Sequence, residues 1–124
     1  MNAHVPTGNE LAHLLRRVSS SPAEARRLVS RAVGITRAQL VLRRCELGRN
    51  VYVGGDLHCD AEGHVTIGDR VCFFDGMLTS ELRCHAGAQL SIGEQCTFNY
   101  GFFLEAHHRI RIGRRCMIAS LVRI

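Results

Sequence analysis

Seven histidines and six cysteines give this 124-residue chain its capacity for chemistry. Histidine titrates near neutral pH and is the side chain most often used to take a proton from an attacking hydroxyl. His107 and His108 adjoin each other in Glu105-Ala106-His107-His108-Arg109. His58 and His64 stand six positions apart, and His85 follows Cys84. His4 and His13 fall in an N-terminal stretch of helical character and read as surface residues. Cys45, Cys59, Cys72, Cys84, Cys96 and Cys116 form no C-x-x-C pair and no zinc-ligand spacing. Reduced thiols in a cytoplasmic protein without a metal are therefore expected. Asn99, in Phe98-Asn99-Tyr100-Gly101, has the chemistry of a corner residue that holds a turn.

The elements that must position these groups are marked by a six-residue ladder of apolar side chains. Leu47, Val53, Cys59 and Val65 form its first row. Ile67 and Phe73 begin a second row, which is disturbed before it ends at Leu90. Ile92, Phe98, Leu104 and Ile110 form a third, and Ile112, Ile118 and Ile124 a fourth. A strand repeats every two residues and a helix every 3.6. A six-residue ladder in blocks of about twenty fits neither, and it is the signature of a parallel β-helix with a corner every six residues. Each ladder side chain points inward and stacks on its counterpart in the next coil. Burial of each Val, Leu, Ile or Phe is worth about 1.5–3 kcal/mol.

A second inward position lies four residues after a ladder residue, at Val51, Leu57, Val71, Cys96, Cys116 and Val122. Cys59, Cys96 and Cys116 thus occupy inward sites, where Cys acts as a small hydrophobe. Gly48, Gly68, Gly93 and Gly113 each follow the first ladder residue of a row. Their place suggests a corner that needs positive φ. The two-residue steps from Val65 to Ile67, Leu90 to Ile92 and Ile110 to Ile112 read as bulged corners between coils. β-Hairpins would instead demand Asn-Gly or Asp-Gly turns between strands, and Asp75-Gly76 is the sole such pair.

Residues 1–46 read as a helical cap and lead-in strand, and residues 47–124 as the β-helix. Thr7 and Glu10 form a candidate capping box ahead of Leu11, Leu14 and Leu15. Ser21-Pro22-Ala23-Glu24 opens a second helix, with Ser as N-cap and Pro in the first turn. Ala25, Leu28, Val29, Ala32 and Val33 would form its apolar face, and Gly34 its C-terminal stop. Ile35 to Leu47 would then lead into the first coil. Such a segment can cap the open end of a solenoid.

All sixteen basic residues are Arg. Nine of them, against three acids, lie within residues 1–50. No aromatics are interleaved with them, so a solvated helix face is expected rather than a nucleic-acid platform. No run of eighteen apolar residues exists to span a membrane.

The segments Ile67-Gly68-Asp69-Arg70-Val71, Ile92-Gly93-Glu94-Gln95-Cys96 and Ile110-Arg111-Ile112-Gly113-Arg114-Arg115-Cys116-Met117-Ile118 resemble the hexapeptide-repeat acyltransferases. The resemblance covers about residues 40–124 and is nearest to the sugar and polysaccharide O-acetyltransferases of the maltose and galactoside type. It implies a mainly β fold, a left-handed parallel β-helix of about three and two-thirds coils after two short helices. The left hand would be an exception to the right-handed crossover rule.

By the same resemblance, acetyl-CoA is the donor and a sugar or polysaccharide hydroxyl the acceptor. The assembly is a homotrimer with sites in clefts between coils. Asn99 matches an acceptor-contacting Asn. The acceptor-side Asp of the family aligns with Ala106, with Glu105 beside it. The family's catalytic His lies on a loop after a segment like Ile112 to Ile124. This chain stops at Ile124, itself a ladder residue, and so reads as an incomplete acyltransferase. Within it the candidate bases are His107 and His108, at a corner where many relatives carry an Ala-His step that is not their base. The zinc hydratases built on the same coil use a close His pair and a distant third His, a set this chain lacks. The alternative from another class is a non-catalytic hexapeptide module for trimerisation or scaffolding.

Overall fold

A computed structural model of the chain describes residues 8–10, 12, 13 and 21–124. The candidate capping box at Thr7 and the apolar positions Leu11, Leu14 and Leu15 lie outside the described residues. Residues 8–10, 12 and 13 are helical, and His13 is exposed. A long helix, Pro22–Val41, precedes the β region.

Eleven short strands follow: β1 (Glu46–Leu47), β2 (Tyr52–Val53), β3 (Leu57–Ala61), β4 (His64–Ile67), β5 (Cys72–Phe73), β6 (Ser80–Cys84), β7 (Gln89–Ile92), β8 (Thr97–Phe98), β9 (Phe103–Ala106), β10 (Arg109–Ile112) and β11 (Met117–Ile118). They stack into three sheets, ordered β1-β4-β7-β10, β2-β5-β8-β11 and β3-β6-β9. Every strand pairing is parallel. The result is a three-faced parallel β-solenoid, two faces four strands deep and the third three. A bridge from Phe103 to Arg123 begins a further rung on the third face.

The ladder is the register of this stack. Leu47, Ile67, Ile92 and Ile112 align on the first face. Val53, Phe73, Phe98 and Ile118 align on the second. On the third face Cys59 aligns with Leu82 and Leu104, which locates the ladder position in the disturbed row. The row is disturbed because residues 74–79 leave the strand path between β5 and β6, and more chain is spent between β6 and β7. Val65, Leu90 and Ile110 then restore the column.

Inside the coils, Phe73, Phe98 and Phe102 pack ring on ring, with centroids 4.9, 5.7 and 5.1 Å apart. Val51, Val71 and Cys96 are buried at the second inward position, whereas Cys59 and Cys116 are half-buried. Ser80 occupies the place beside Leu57 in β3. It is buried, and its Oγ accepts the Gly101 N–H at 2.9 Å, so the polar group is satisfied.

Four expectations need correction. The glycine column does not supply positive φ. That conformation belongs to Asn50, Arg70, Gln95 and Arg115, two residues further on, with φ of 55–58°. The glycines permit coil-to-coil approach instead: a Cβ on Gly68 would lie 2.6 Å from the Glu94 backbone N and 2.9 Å from its Cα. The long helix also does not stop at Gly34 but runs on to Val41. A Cβ there would overlap the Tyr52 ring, so Gly34 is a packing contact. Ile35–Val41 is therefore helix rather than lead-in strand.

Third, the helix face is rotated from the expected one. Gly34, Ala38 and Leu42 are buried, while Val29 and Val33 are exposed. Helical spacing links the first three, and they lie against the first coil through β2 and β3. Fourth, Ser21 takes the N-cap position with Pro22 in the first turn, yet its side chain makes no capping hydrogen bond. Among the described residues no helix is long and apolar enough to cross a membrane.

Candidate functional site

The third face and the corner after it bring His85, Glu105 and His107 together. In β6 and β9 inward and outward residues alternate, as a strand requires. Cys84 and Ala106 are register partners and both point inward. The residue that follows each strand, His85 or His107, is exposed at the same corner. One coil apart, the two imidazoles stack with centroids 4.3 Å apart and planes 14° from parallel.

Glu105 is the outward residue two before His107 and therefore shares its side. Its Oε1 lies 2.8 Å from His85 Nε2. A carboxylate only accepts, so His85 Nε2 is the donor in this bond. His107 Nε2 approaches the same oxygen at 3.6 Å. The side chain of Glu105 is 26% exposed, against 45% for His85 and 72% for His107. The hydrogen bond from His85 holds the Glu105 carboxyl below the usual carboxylate range; the nearby His107 and Arg83 act in the same direction and desolvation opposes them.

Arginines frame this cluster. Arg83 pairs with Glu81 at 2.9 Å and sits 5.7 Å from the Phe103 ring centroid. Arg123 approaches the same ring at 5.6 Å. Both are cation–π contacts in geometry, and they keep guanidinium groups on the third face without placing one on Glu105.

The anticipated site residues divide. Glu105 and His107 come together. His108 remains in the turn, exposed, with its backbone carbonyl accepting the Gln89 N–H. Asn99 sits in the turn before β9, where its Oδ1 accepts the Tyr100 N–H at 3.0 Å. That is the turn-holding role its residue type suggests. His58 and His64 lie on different faces; His64 Nε2 faces Glu46 at 3.6 Å and Thr66 Oγ1 at 3.3 Å.

His85 is the residue missing from the sequence-based candidates. A signal for it exists: Asp60-Ala61-Glu62, Arg83-Cys84-His85 and Glu105-Ala106-His107 repeat one polar-small-polar pattern on successive coils. The irregular length of the second row hides it from a count in sixes. Once Cys84 is set on Ala106, the two histidines fall together.

A second cluster lies where the long helix meets the first coil. Cys45 Sγ and Cys59 Sγ are 3.7 Å apart as thiols. Their mutual hydrogen bond, reinforced for Cys45 by burial, pushes the Cys45 thiol up and draws Cys59 down. An open cleft of about 240 Å³ beside them is lined by Leu40, Val41, Arg43, Arg44 and Cys59.

Comparison with protein-family models, with curated proteins and with solved structures found no match.

Proposed function

We propose that this solenoid serves O-acyl transfer, moving an acetyl group from acetyl-CoA to a sugar or polysaccharide hydroxyl. The observation that carries the reading is the unbroken parallel stack. Ile67-Gly68-Asp69, Ile92-Gly93-Glu94 and Ile112-Gly113-Arg114 occupy one corner on successive coils. Those are the segments that resemble the hexapeptide acyltransferases, whose coil is left-handed. In this reading Asn99 and Glu105 belong to the acceptor side, and the donor and acceptor meet in a cleft between coils of a cytoplasmic homotrimer. Holding the two substrates together supplies much of the rate in such a reaction. The reading assigns no general base among the described histidines. His85 and His107 are engaged around Glu105, and His108 is a turn residue.

One surface feature favours the alternative of a non-catalytic trimerisation module. Phe74, Met77, Leu78 and Leu121 are exposed apolar side chains, and Leu78 and Leu121 both lie beside Gly101. Clustered apolar exposure marks an interaction surface.

Two measurements on the folded chain separate the readings. The first is acetyl-CoA-dependent release of free CoA across a panel of sugar acceptors, and the second is sedimentation equilibrium. Acceptor-dependent turnover that vanishes on unfolding establishes transfer. A trimer without turnover leaves the structural module, and an inert monomer removes both.

A further inference from the structure

We propose that His85, Glu105 and His107 bind one divalent transition-metal ion of the zinc type, with a coordination position left open to solvent. Both imidazoles present Nε2 to the same carboxylate oxygen, and one ligand atom from each of the three residues lies within 4.8 Å of the others. Zinc binds imidazole nitrogen at about 2.0–2.1 Å and carboxylate oxygen at about 2.0–2.2 Å, which sets tetrahedral ligand atoms about 3.3 Å apart. The separations from Glu105 Oε1, 2.8 Å to His85 and 3.6 Å to His107, bracket that value. Two changes turn the hydrogen-bonded cluster into a ligand set. The proton that His85 carries on Nε2 moves through solvent to Nδ1, which frees the Nε2 lone pair. The two imidazoles, stacked within 14° of parallel, tilt until both Nε2 atoms face one point.

The donor chemistry selects the class of ion. Two imidazoles and one carboxylate suit zinc, nickel, copper or iron(II), whereas magnesium and calcium favour all-oxygen sites. Arg83, the register partner of Glu105 on β6, is committed to Glu81 at 2.9 Å and to the Phe103 ring. His107 is 72% exposed, so the fourth position of the ion faces water. A bound ion also ties the second coil to the third across the irregular turn that begins at His85. The ion binds whether or not the chain transfers acetyl groups.

The test is equilibrium dialysis of the full chain against ZnCl2, with metal content measured directly and folding checked by circular dichroism. One equivalent of zinc is expected for the wild-type chain, together with a higher Tm. His85→Ala, Glu105→Gln and His107→Ala should each weaken binding by about tenfold or more, since loss of even an outer partner of a metal site costs that much. His58→Ala, at an exposed site on the same face, should bind as wild type does. Cobalt(II) provides a second readout, independent of whether a variant folds. Nitrogen and oxygen ligation in the wild-type chain gives d–d bands without sulfur-to-metal charge transfer. Failure of the folded wild-type chain to retain zinc overturns the proposal. So does zinc uptake that survives a folded His85→Ala/His107→Ala double variant, or a thiolate-type cobalt spectrum removed by Cys45→Ser.

Discussion

Two corners of the same coils obey different rules. The corner after the first face repeats from coil to coil: Gly48, Gly68 and Gly93 each lie under the backbone of the next coil, and Asn50, Arg70, Gln95 and Arg115 each turn at positive φ. The corner after the third face changes every time, from Glu62-Gly63 through the longer His85–Ala88 turn to His107-His108. At the first corner backbone meets the glycine, so the glycine and the length are fixed, while the two residues after it, as in Asp69-Arg70, Glu94-Gln95 and Arg114-Arg115, vary in type. At the second the length varies too, and His85, Glu105 and His107 collect there. The solenoid thus separates the positions that build it from the positions that equip it.

The strongest way to break this contrast is to attack what both corners share. Phe98 is fully buried and stacked against Phe73 and Phe102. Phe98→Ala should cost about 3–5 kcal/mol, from lost transfer energy plus the cavity left behind. Urea unfolding would show a lower midpoint, and a loss under about 1 kcal/mol would mean that the rings collapse to refill the space.

A paired glycine substitution compares the corners directly. Gly68→Ala drives a methyl group into the Glu94 backbone, which has no rotamer by which to withdraw. Overpacking of this kind costs about 1–3 kcal/mol or more. Gly87→Ala meets nothing within 4 Å and bears only the strain of φ +78°, about 1–2 kcal/mol for a side chain in that region. Urea midpoints for the two variants should fall in that order. Equal losses would mean that the first corner has slack which the Gly68 contacts deny.

The six-residue ladder was legible because it is an average over many burials, and one disturbed row cannot erase it. Leu82 was not legible as a ladder residue, since the loop at 74–79 breaks the count and only strand pairing restores it. Gly34 misled for a related reason. A glycine late in an amphipathic run has the same local sequence whether it ends a helix or admits an aromatic ring from elsewhere. Tyr52 decides between them, and it is a tertiary neighbour. The candidate site was half visible. Glu105 and His107 are neighbours in sequence, while His85 reaches them only through the pairing of Cys84 with Ala106.

The smallest expected effect belongs to the carboxylate at the variable corner, and its sign follows from linkage. The bond from His85 lowers the Glu105 carboxyl below its usual range in the folded chain. The folded state therefore holds its proton more weakly than the unfolded chain does. Glu105 then contributes stability that is fully present above the unfolded carboxylate value, near pH 4–4.5. That contribution is lost as pH falls through the lower folded value. Glu105→Gln removes the titrating group, so the gap in stability between wild type and variant should shrink as pH drops through this window. His85→Ala should raise the Glu105 carboxyl toward its ordinary range, which carbon-13 NMR of the carboxyl reads directly. An unmoved Glu105 titration in that variant would show that His85 does not hold the carboxylate. The variable corner would then be a set of neighbouring side chains rather than a joined site.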